Sequence, residues 1–451
     1  MELQGKRVLV FGTGKSGIGA ADLLGAVGAL PILYDGNEKT DKEAVLHKTE
    51  GNYPLEIYTG TLPEEVQKQL ELVVLSPGVP TDLPLVKRFY EQGLPVWGEV
   101  ELAYRTGKGE VLAITGTNGK TTTTALLGKI MADARESVYV VGNIGTPYTS
   151  MSLKMQEDTV TVAEISSFQL ETIENFAPKV SAILNITEDH LNRQHTMEEY
   201  IRVKELIVKN QTAKDTCVLN YEDEVLREFG RNLVPKTLYF SSVRKLEQGI
   251  YLDGDQIVLK TEQEEIPVVK TGELKLLGQH NFENVMAAVA MAYSAGVPME
   301  SIRKSICAFT AVEHRIEYVT EKNGVVYYND SKGTNPDAAI KGIQAMNRPT
   351  YLIGGGYDKE SSYDEWIQSF DGKVRSLVLI GQTKEKIKAA AERLGFFDVV
   401  LCEDLKEAVT WCAGMARPGE AVLLSPACAS WGQFDNYEQR GDRFKEYVME
   451  L

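Results

Sequence analysis

The segment from Val111 to Thr122 constrains the fold of this chain more strongly than any other stretch. Its letters, VLAITGTNGKTT, are an apolar run, two glycines separated by two residues, and a lysine followed by two threonines. A buried strand that enters a glycine-rich turn and then a helix directs backbone N–H groups and the positive helix end at a phosphate. The sequence therefore predicts a nucleotide-phosphate loop at residues 115–122.

The residues of this loop suit a nucleoside triphosphate. Lys120 supplies a mobile cation for the β- and γ-phosphates, and the Thr121 hydroxyl suits Mg²⁺. The standard pattern has a longer spacing between its glycines, so Gly116 and Gly119 define a shortened loop. A glycine turn with a surface lysine is the alternative, and the strand and helix on either side oppose it. The residues expected to contact ATP are Gly116, Thr117, Asn118, Gly119, Lys120, Thr121 and Thr122.

Apolar runs that alternate with helical patterns recur along the 451 residues. Residues 7–11 (RVLVF), 72–75 (LVVL) and 374–380 (VRSLVLI) are typical of buried strands, and glycine or proline follows within two residues of each. This alternation predicts doubly wound parallel sheets, and the length allows about three domains of roughly 150 residues. The predicted fold class is α/β with three domains: a Rossmann-like domain at 1–98, a P-loop ATPase-like domain at 99–311 that includes a small β subdomain near 215–275, and a Rossmann-like domain at 312–451.

The charge balance restricts the partners of the chain. Lysine and arginine number 48 against 64 aspartate and glutamate, and the net charge is −16. Such a chain repels nucleic acid and anionic membranes at long range, although a local cluster of cations still binds a small anion. The five cysteines are scattered without zinc spacing, which indicates free thiols in a reducing compartment. With no signal-like or membrane-spanning apolar run, we expect a cytoplasmic monomer that binds neither nucleic acid nor membrane.

Polar side chains follow three predicted strands of the central domain. Glu164 closes the run VTVAE, His190 follows SAILNIT, and Asn143 follows the strand at 139–141. Ligands of parallel α/β sheets collect at the carboxyl ends of the strands. A carboxylate and an imidazole at that edge can hold a metal ion, and an asparagine can bind a polar substrate. Each residue also has a structural alternative, namely a capping acid, a core histidine and a turn asparagine.

A second glycine pattern follows the first strand of the chain. Gly12, Gly14 and Gly17 match the dinucleotide fingerprint, and Asp35 stands about 20 residues further on, as that fingerprint requires. Taken alone, the pattern suggests a nicotinamide cofactor and a dehydrogenase. The glycines themselves indicate only that a pyrophosphate can bind at the helix end.

Eight blocks of this sequence occur in the order seen in the Mur ligases of peptidoglycan synthesis, so the chain resembles that family. The blocks are TGTNGKTT, GNIG, EISSFQLE, NITEDHLNR, GQHNFEN, HRIE, NDSKGTNPDA and SPACASWGQFDNYEQRGDRF. They extend over nearly the whole chain, and the last block is most similar to the family member that adds D-glutamate. The resemblance implies a UDP-binding N-terminal domain, a central ATPase domain and a C-terminal domain with the amino-acid site.

The resemblance also implies a reaction. ATP, UDP-MurNAc-L-Ala and D-Glu would give ADP, phosphate and UDP-MurNAc-L-Ala-D-Glu through an acyl phosphate. Because three anionic partners must meet, catalysis would consist mostly of positioning and charge neutralisation. The family further implies two Mg²⁺ sites and a carbamylated lysine.

The family resemblance assigns the catalytic roles position by position. It places Lys120 and Thr121 at the γ-phosphate and a first Mg²⁺, which Glu164 also binds. It places His190 on a second Mg²⁺. Lys204, in the run EYIRVK, matches the lysine whose carbamate binds that second metal, although its position alone indicates a solvated helix lysine.

The other residues implied by the resemblance form four groups. Lys332 matches a cation that stabilises the transition state. Further ATP contacts are expected at Asn281, Asn284, Arg315 and Asp330. The UDP-substrate contacts are expected at Lys15, Ser16, Asp35, Ser76, Pro77, Gly78, Asn143, Ser166, Gln169 and His190. The D-glutamate contacts are expected at Thr334, Lys359, Ser430 and Tyr437.

Three other functions stay open at this stage. A ligase of the same superfamily that uses another amino acid or a folate is opposed by the blocks NDSKGTNPDA and SPACAS. A nicotinamide-dependent oxidoreductase would leave the phosphate loop unexplained. A nucleotide-binding regulatory protein without turnover is opposed by the intact set of Lys120, Glu164, His190 and Lys332.

Overall fold

The computed structural model describes residues 2–143, 145–187, 191–310 and 312–451, and only the backbone of residues 191 and 192. The chain divides into two compact units. The first comprises Met1–Val268 and Asn284–Ser305, and the second comprises Val269–Glu283 and Ile306–Leu451. Within these described ranges, no helix is both long enough and apolar enough to cross a membrane.

The first sheet lies at the start of the first unit. Its elements are β1 (Arg7–Phe11), α1 (Lys15–Ala26), β2 (Leu30–Asp35), α2 (Lys42–Leu46), β3 (Glu56–Thr59), α3 (Glu64–Gln67), β4 (Leu72–Leu75), α4 (Pro84–Glu91) and β5 (Val96–Gly98). All pairs are parallel, in the order β3-β2-β1-β4-β5. The order changes direction between β1 and β4, where open α/β sheets bind their ligands.

The central sheet follows, and its residues up to 268 lie in the same unit, together with residues 284–305. The elements are α5 (Glu99–Thr106), β6 (Glu110–Thr115), α6 (Lys120–Ala134), β7 (Val138–Gly142), β8 (Val160–Glu164), α7 (Ser167–Leu170), β9 (Val180–Ile183), α8 (Leu191–Gln194), α9 (Met197–Glu205), β10 (Thr216–Asn220), α10 (Glu224–Phe229), β11 (Lys236–Ser241), β12 (Gly249–Asp253), β13 (Gln256–Lys260), β14 (Glu265–Lys270), α11 (Gln279–Ser294) and α12 (Met299–Ala308). Strand β6 lies between β8 and β9 and pairs in parallel with both. The phosphate loop therefore leaves a strand buried on both sides.

The strands predicted as a small β subdomain are part of the central sheet. The order of this nine-stranded sheet is β14-β13-β12-β11-β10-β9-β6-β8-β7. Strands β10, β11 and β12 continue the parallel pairing from β9, and β13 pairs with β12 in the antiparallel direction. A small apolar cluster of Leu246, Tyr251 and Val258 packs against this extension. The turn residues marked the hairpin correctly, but backbone pairing to a distant strand leaves no mark in the local sequence.

The third sheet lies in the second unit. Its elements are β15 (Glu317–Lys322), β16 (Val325–Asn329), α13 (Pro336–Ala345), β17 (Thr350–Gly355), α14 (Asp364–Gln368), β18 (Val374–Ile380), α15 (Lys384–Arg393), β19 (Val399–Leu401), α16 (Leu405–Met415), β20 (Ala421–Leu424) and α17 (Tyr437–Glu450). The order is β15-β16-β20-β17-β18-β19, and only β15 is antiparallel to its neighbour. Helices pack on both faces, as the α/β prediction requires.

Two strands escaped the sequence prediction, and both lie at sheet edges. Strands β3 and β15 are only partly buried, and their sequences EIYT and EYVTEK carry charges where a buried strand would have apolar residues. The turn after β15 uses Asn323 and Gly324 at φ values of 54° and 76°. Those two left-handed residues are typical of a tight hairpin, and they are the local signal that could have located β15.

Helix α5 connects the first sheet to the central sheet through a buried carboxylate. Glu101 is fully buried and accepts hydrogen bonds from the backbone N–H groups of Glu174, Asn175 and Phe176, at 2.9, 2.9 and 3.0 Å. It also accepts from Arg105 Nε at 2.6 Å. A buried charge is tolerated when hydrogen bonds surround it, so this cluster fixes the segment after α7 against α5.

Replacement of Glu101 should destabilise the first unit. Glu101→Ala leaves three N–H groups and Arg105 Nε without the buried carboxylate that accepts from them, and we expect a loss of about 3 kcal/mol in the free energy of unfolding. Glu262→Ala removes an exposed carboxylate and should change this quantity by less than about 0.5 kcal/mol. Urea unfolding of both variants and calorimetric scans provide the measurement. Equal stability of the two variants would contradict the assigned role.

Candidate active site

The phosphate loop between β6 and α6 has a backbone that only glycine permits. Gly116 and Gly119 have φ values of 147° and 85°, and Gly119 is the residue that precedes helix α6. A Cβ atom on Gly119 would lie 2.2 Å from Asn284 Oδ1, and one on Gly116 would lie 3.1 Å from Leu184 Cβ. The loop therefore lies tightly against its neighbours, while its N–H groups surround the start of α6, where an anion binds favourably.

The segment that follows β9 holds this loop in place. Asn118 N donates to Asn185 Oδ1 at 2.8 Å, and Asn185 Nδ2 donates back to Asn118 O at 3.1 Å. Thr117 N donates to Asn185 O at 2.9 Å. The Thr117 hydroxyl donates to Thr187 O at 3.1 Å and accepts from Thr187 N at 3.0 Å. Asn185 was not among the predicted site residues; its place directly after a buried strand was the available signal.

Two lysines converge on one carbonyl of the loop. Lys120 Nζ donates to Gly116 O and to Thr117 O, each at 2.9 Å. Lys204 Nζ donates to the same Gly116 O at 2.9 Å and lies 4.6 Å from the ring centre of Tyr200. Lys204 is 1% exposed, so the expectation of a solvated helix lysine from its position alone is wrong. Burial of a charged amine costs free energy of folding, so a buried lysine beside the phosphate loop indicates a functional role.

Glu164 ends strand β8 beside the phosphate loop strand. It is 1% exposed, its Oε1 accepts from Asn143 Nδ2 at 2.8 Å, and its Oε2 has no hydrogen-bond partner. A buried carboxylate oxygen that lacks a donor fits a cation ligand, and oxygen is the ligand that Mg²⁺ prefers. His190, the other predicted metal ligand, lies outside the described residues. Among those described, no group of three or more His, Cys, Asp or Glu side chains is arranged to hold a metal.

Ser166 and Gln169 form a capping box at the start of α7. Gln169 Oε1 accepts from Ser166 N at 2.8 Å and from Ser166 Oγ at 2.9 Å, and Gln169 Nε2 donates to Glu99 Oε1 at 2.6 Å. Glu99 is 1% exposed, its Oε2 lacks a partner, and burial raises its pKa to about 7. Glu99 was not predicted as part of the site, because nothing in the local sequence shows that it faces the ISSFQ segment.

Six of the ten predicted UDP-substrate contacts lie at or near the carboxyl ends of β1, β2 and β4. Gly12 lies so close to Ser76 that an added Cβ would be 2.6 Å from Ser76 Oγ, and one on Gly17 would be 1.9 Å from Gly12 O. The Asp35 carboxylate accepts from Thr13 Oγ1 at 2.5 Å and from Asn37 N at 2.9 Å. Lys15 and Ser16 open helix α1, and Pro77 and Gly78 follow Ser76 in the loop after β4. The glycines thus allow the start of α1 and the loop after β4 to pack closely against the end of β1, at the point where the sheet order reverses.

A third group of predicted residues lies in the second unit. Asp330 is 4% exposed and accepts from Ser425 Oγ at 2.7 Å and from Ile316 N at 3.2 Å, while burial raises its pKa to about 7. The neighbouring Arg315 opposes this rise. Lys332 Nζ lies 5.5 Å from the ring centre of Tyr437. These residues share one edge of the third sheet, at the ends of β16 and β20.

Arg440 supports the same edge from helix α17. It is 1% exposed and donates to Ser331 Oγ at 2.9 Å, Ser331 O at 2.8 Å and Cys428 O at 3.0 Å. Burial lowers its pKa to about 10, so it stays charged at neutral pH. Arg440 therefore connects the NDSK loop (residues 329–332) to the SPACAS loop (residues 425–430), which ends at Ser430.

The remaining predicted contacts are more dispersed. Lys359 Nζ lies 5.0 Å from the ring centre of Trp431, the residue after Ser430. Thr334 N donates to Lys332 O at 2.8 Å. The two asparagines of GQHNFEN belong to different units: Asn284 accepts from Thr123 Oγ1 at 3.3 Å in the first unit, and Asn281 Nδ2 donates to Leu277 O at 2.7 Å in the second.

Three family models match successive parts of the chain. The model described as the Mur ligase MurD-like N-terminal domain matches residues 6–98, the Mur ligase middle domain matches 114–292, and the Mur ligase glutamate ligase domain matches 314–428. Solved structures share the fold at low sequence identity. A UDP-N-acetylmuramate–alanine ligase from Thermotoga maritima has a TM-score of 0.59 at 20% identity, with 99% of each chain covered.

Curated relatives resemble the chain over its whole length. A protein of Lachnoclostridium phytofermentans is 57% identical over all of this chain and 99% of its own length, and one of Lachnospira eligens is 55% identical over the full length of both. A relative from Clostridioides difficile is 44% identical, again over the full length of both chains. Each of these three relatives is named UDP-N-acetylmuramoylalanine–D-glutamate ligase.

Glu99 should make the stability of the first unit depend on pH. Its pKa is raised by burial from 4.5 to about 7, so the folded state binds the proton more tightly than the unfolded state. Its contribution to stability is therefore present below about pH 4.5 and is lost as the pH rises to 7, by about 3 kcal/mol. The free energy of unfolding of Glu99→Gln should therefore change less with pH over this range than that of the wild type. Calorimetric unfolding between pH 4.5 and 8 tests this, and equal slopes in both proteins would contradict it.

Proposed function

Because this chain belongs to the Mur ligase family, we propose that it joins D-glutamate to UDP-N-acetylmuramoyl-L-alanine with hydrolysis of ATP to ADP and phosphate. The observation that carries the proposal is full-length identity of 55–57% to relatives named for this activity. The geometry of the phosphate loop agrees with an ATP-dependent ligation. Peptidoglycan precursor synthesis is the process that this reaction serves.

The reaction needs an activated carboxylate. One oxygen of the alanyl carboxylate attacks the γ-phosphorus of ATP, ADP leaves, and an acyl phosphate forms. The amine nitrogen of D-Glu then attacks the acyl carbon to give a tetrahedral intermediate. Phosphate leaves with the transferred oxygen, and the amine proton is lost to solvent. Both steps gather negative charge, so the protein contributes mainly cations, N–H donors and alignment.

The phosphate loop would hold the γ-phosphate. Its backbone N–H groups and the start of α6 provide a positive end, and Lys120 would turn from Gly116 O and Thr117 O to the phosphate oxygens. The remaining loop contacts that we propose are Gly116, Thr117, Asn118, Gly119, Thr121 and Thr122. Asn185 would act through Asn118, since its side-chain amide pairs with both backbone groups of that residue.

We propose that two Mg²⁺ ions bind at this edge of the central sheet. The partnerless Glu164 Oε2 and the Thr121 hydroxyl would hold the first, and His190 with a carbamylated Lys204 would hold the second. Carbamylation joins CO₂ to the neutral Lys204 amine with loss of a proton, and it replaces a buried cation by an anion. When bound, the two cations would neutralise charge on the phosphate and carboxylate oxygens.

The first sheet would hold the UDP part of the substrate at the point between β1 and β4. The glycine fingerprint then serves a uridine pyrophosphate instead of a nicotinamide dinucleotide. The contacts that we propose are Lys15, Ser16, Asp35, Ser76, Pro77 and Gly78 for the nucleotide, with Asn143, Ser166, Gln169 and His190 nearer the reacting carboxylate.

Residues from position 281 onwards would supply the D-glutamate contacts and further ATP contacts. Lys332 would stabilise the transition state as a cation near Tyr437. The ATP contacts that we propose are Asn281, Asn284, Arg315 and Asp330, and the D-glutamate contacts are Thr334, Lys359, Ser430 and Tyr437. We further propose a cytoplasmic monomer with domains at 1–98, 99–311 and 312–451.

Dependence on the amino acid tests this function directly. With ATP, Mg²⁺ and UDP-MurNAc-L-Ala, phosphate release should require D-Glu and should stay at background with L-Glu, D-Ala, L-Lys or meso-diaminopimelate. The amine must approach the acyl carbon from a site shaped for one enantiomer and two carboxylates, which is why the discrimination should be strong. Phosphate release that is independent of D-Glu would overturn the proposed reaction.

Replacement of Lys204 tests the proposed carbamate. Lys204→Ala should lower kcat by ~100-fold, because it removes a ligand of the second metal. Added formate or acetate should restore part of the rate by occupying the place of the carbamate. Lys214→Ala, which removes an exposed lysine, is the matched control and should retain full activity. Full activity of the Lys204 variant would show that the assignment is wrong.

A further inference from the structure

Arg193 connects three segments of the first unit. Its guanidinium donates to Val79 O at 3.0 Å and to Pro77 O at 3.4 Å, in the loop after β4. It also donates to Glu171 Oε2 at 3.0 Å and lies 4.7 Å from the ring centre of Phe168. Its side chain is 14% exposed, so most of its charge is shielded from water. Arg193 itself ends the run NITEDHLNR, which follows β9.

Glu171 completes this cluster from the end of α7. Its Oε1 accepts from Gln194 Nε2 at 2.6 Å, and its Oε2 accepts from Thr81 Oγ1 at 3.3 Å as well as from Arg193. Its side chain is 10% exposed. Both oxygens of a nearly buried carboxylate are thus satisfied, which holds the guanidinium in one orientation.

The loop after β4 needs such an anchor. Residues 76–83 lie between β4 and α4 and contain no helix or strand, and the carbonyl groups of Pro77 and Val79 accept from Arg193 instead of from a helix or a sheet. A planar guanidinium binds two carbonyls and a carboxylate together, which a lysine ammonium on a flexible stem does less well. A small pocket lies between this loop and α7, and Ser76, Pro77, Phe168 and Gln169 are among its lining residues.

We propose that Arg193, held by Glu171, is a positioning residue for the UDP-linked substrate: it fixes the loop of Ser76, Pro77 and Gly78 relative to the central sheet. The inference rests on the proposed function, which assigns that loop to the nucleotide. The first sheet and the central sheet have a separate connection through Glu101 and Arg105. Loss of Arg193 therefore shifts the loop and leaves the packing of the two sheets intact.

The test compares Arg193→Ala, Arg193→Lys and Glu171→Gln with the wild type. Arg193→Ala should raise KM for UDP-MurNAc-L-Ala about 10-fold, with KM for ATP and for D-Glu within about twofold of the wild type. Arg193→Lys should recover part of the loss, and Glu171→Gln should shift the same KM in the same direction by less. Arg202→Ala is the matched control, because it breaks an exposed ion pair with Glu199 on the neighbouring helix. Its KM values should equal those of the wild type.

Calorimetric titration with UDP-MurNAc-L-Ala alone separates this inference from the proposed reaction. If the wild type binds this ligand but releases no phosphate when ATP, Mg²⁺ and D-Glu are added, the proposed reaction is wrong. Weaker binding of the ligand by Arg193→Ala would then still support the positioning role. Unchanged binding in Arg193→Ala overturns the positioning role, whatever the turnover. Equal rises in all three KM values with a lower unfolding temperature also overturn it, because they indicate a purely structural residue.

Discussion

The paired hydrogen bonds between Asn118 and Asn185 are the interaction on which the rest of the site depends. The phosphate loop has no regular structure of its own, and its two glycines adopt backbone angles that are available to few other residues. Reciprocal amide bonds to the end of β9 replace the missing regular pairing. They fix the loop relative to β6, β8 and β9 together, so that Lys120, Glu164 and Lys204 occupy one edge of the central sheet.

At that edge of the central sheet, charged side chains lie close together and are shielded from water. Lys204 and Glu164 are each 1% exposed, and one carboxylate oxygen of Glu164 has no donor. Buried charges destabilise a folded chain unless hydrogen bonds or a bound ion compensate for the lost hydration. The net charge of −16 shows that the chain as a whole does not attract anions. The proposed binding of three anionic substrates therefore depends on local donors, which is the reason for so many buried polar bonds near the strand ends.

The fold could be predicted from the sequence wherever a strand is buried on both faces. The runs RVLVF, LVVL and VRSLVLI match β1, β4 and β18 residue for residue, because most of their residues are buried and buried positions favour apolar side chains. The edge strands β3 and β15 were missed since half of each faces solvent. The residues of the candidate active site also divide into those that the sequence could predict and those that it could not. Loop glycines and strand-end acids carry local signals, whereas Glu99, Arg193 and Asn185 act through contacts with residues about 70 to 115 positions away.

Oxygen transfer from the substrate carboxylate to phosphate tests the central claim most directly. UDP-MurNAc-L-Ala labelled with ¹⁸O in both carboxylate oxygens is converted with ATP, Mg²⁺ and D-Glu, and the released phosphate is analysed by mass spectrometry. Activation at the phosphate loop predicts one ¹⁸O atom in each phosphate and the other in the new amide, because the attacking oxygen leaves with the phosphorus. Unlabelled phosphate at full product yield would contradict the acyl-phosphate route and the role assigned to the loop.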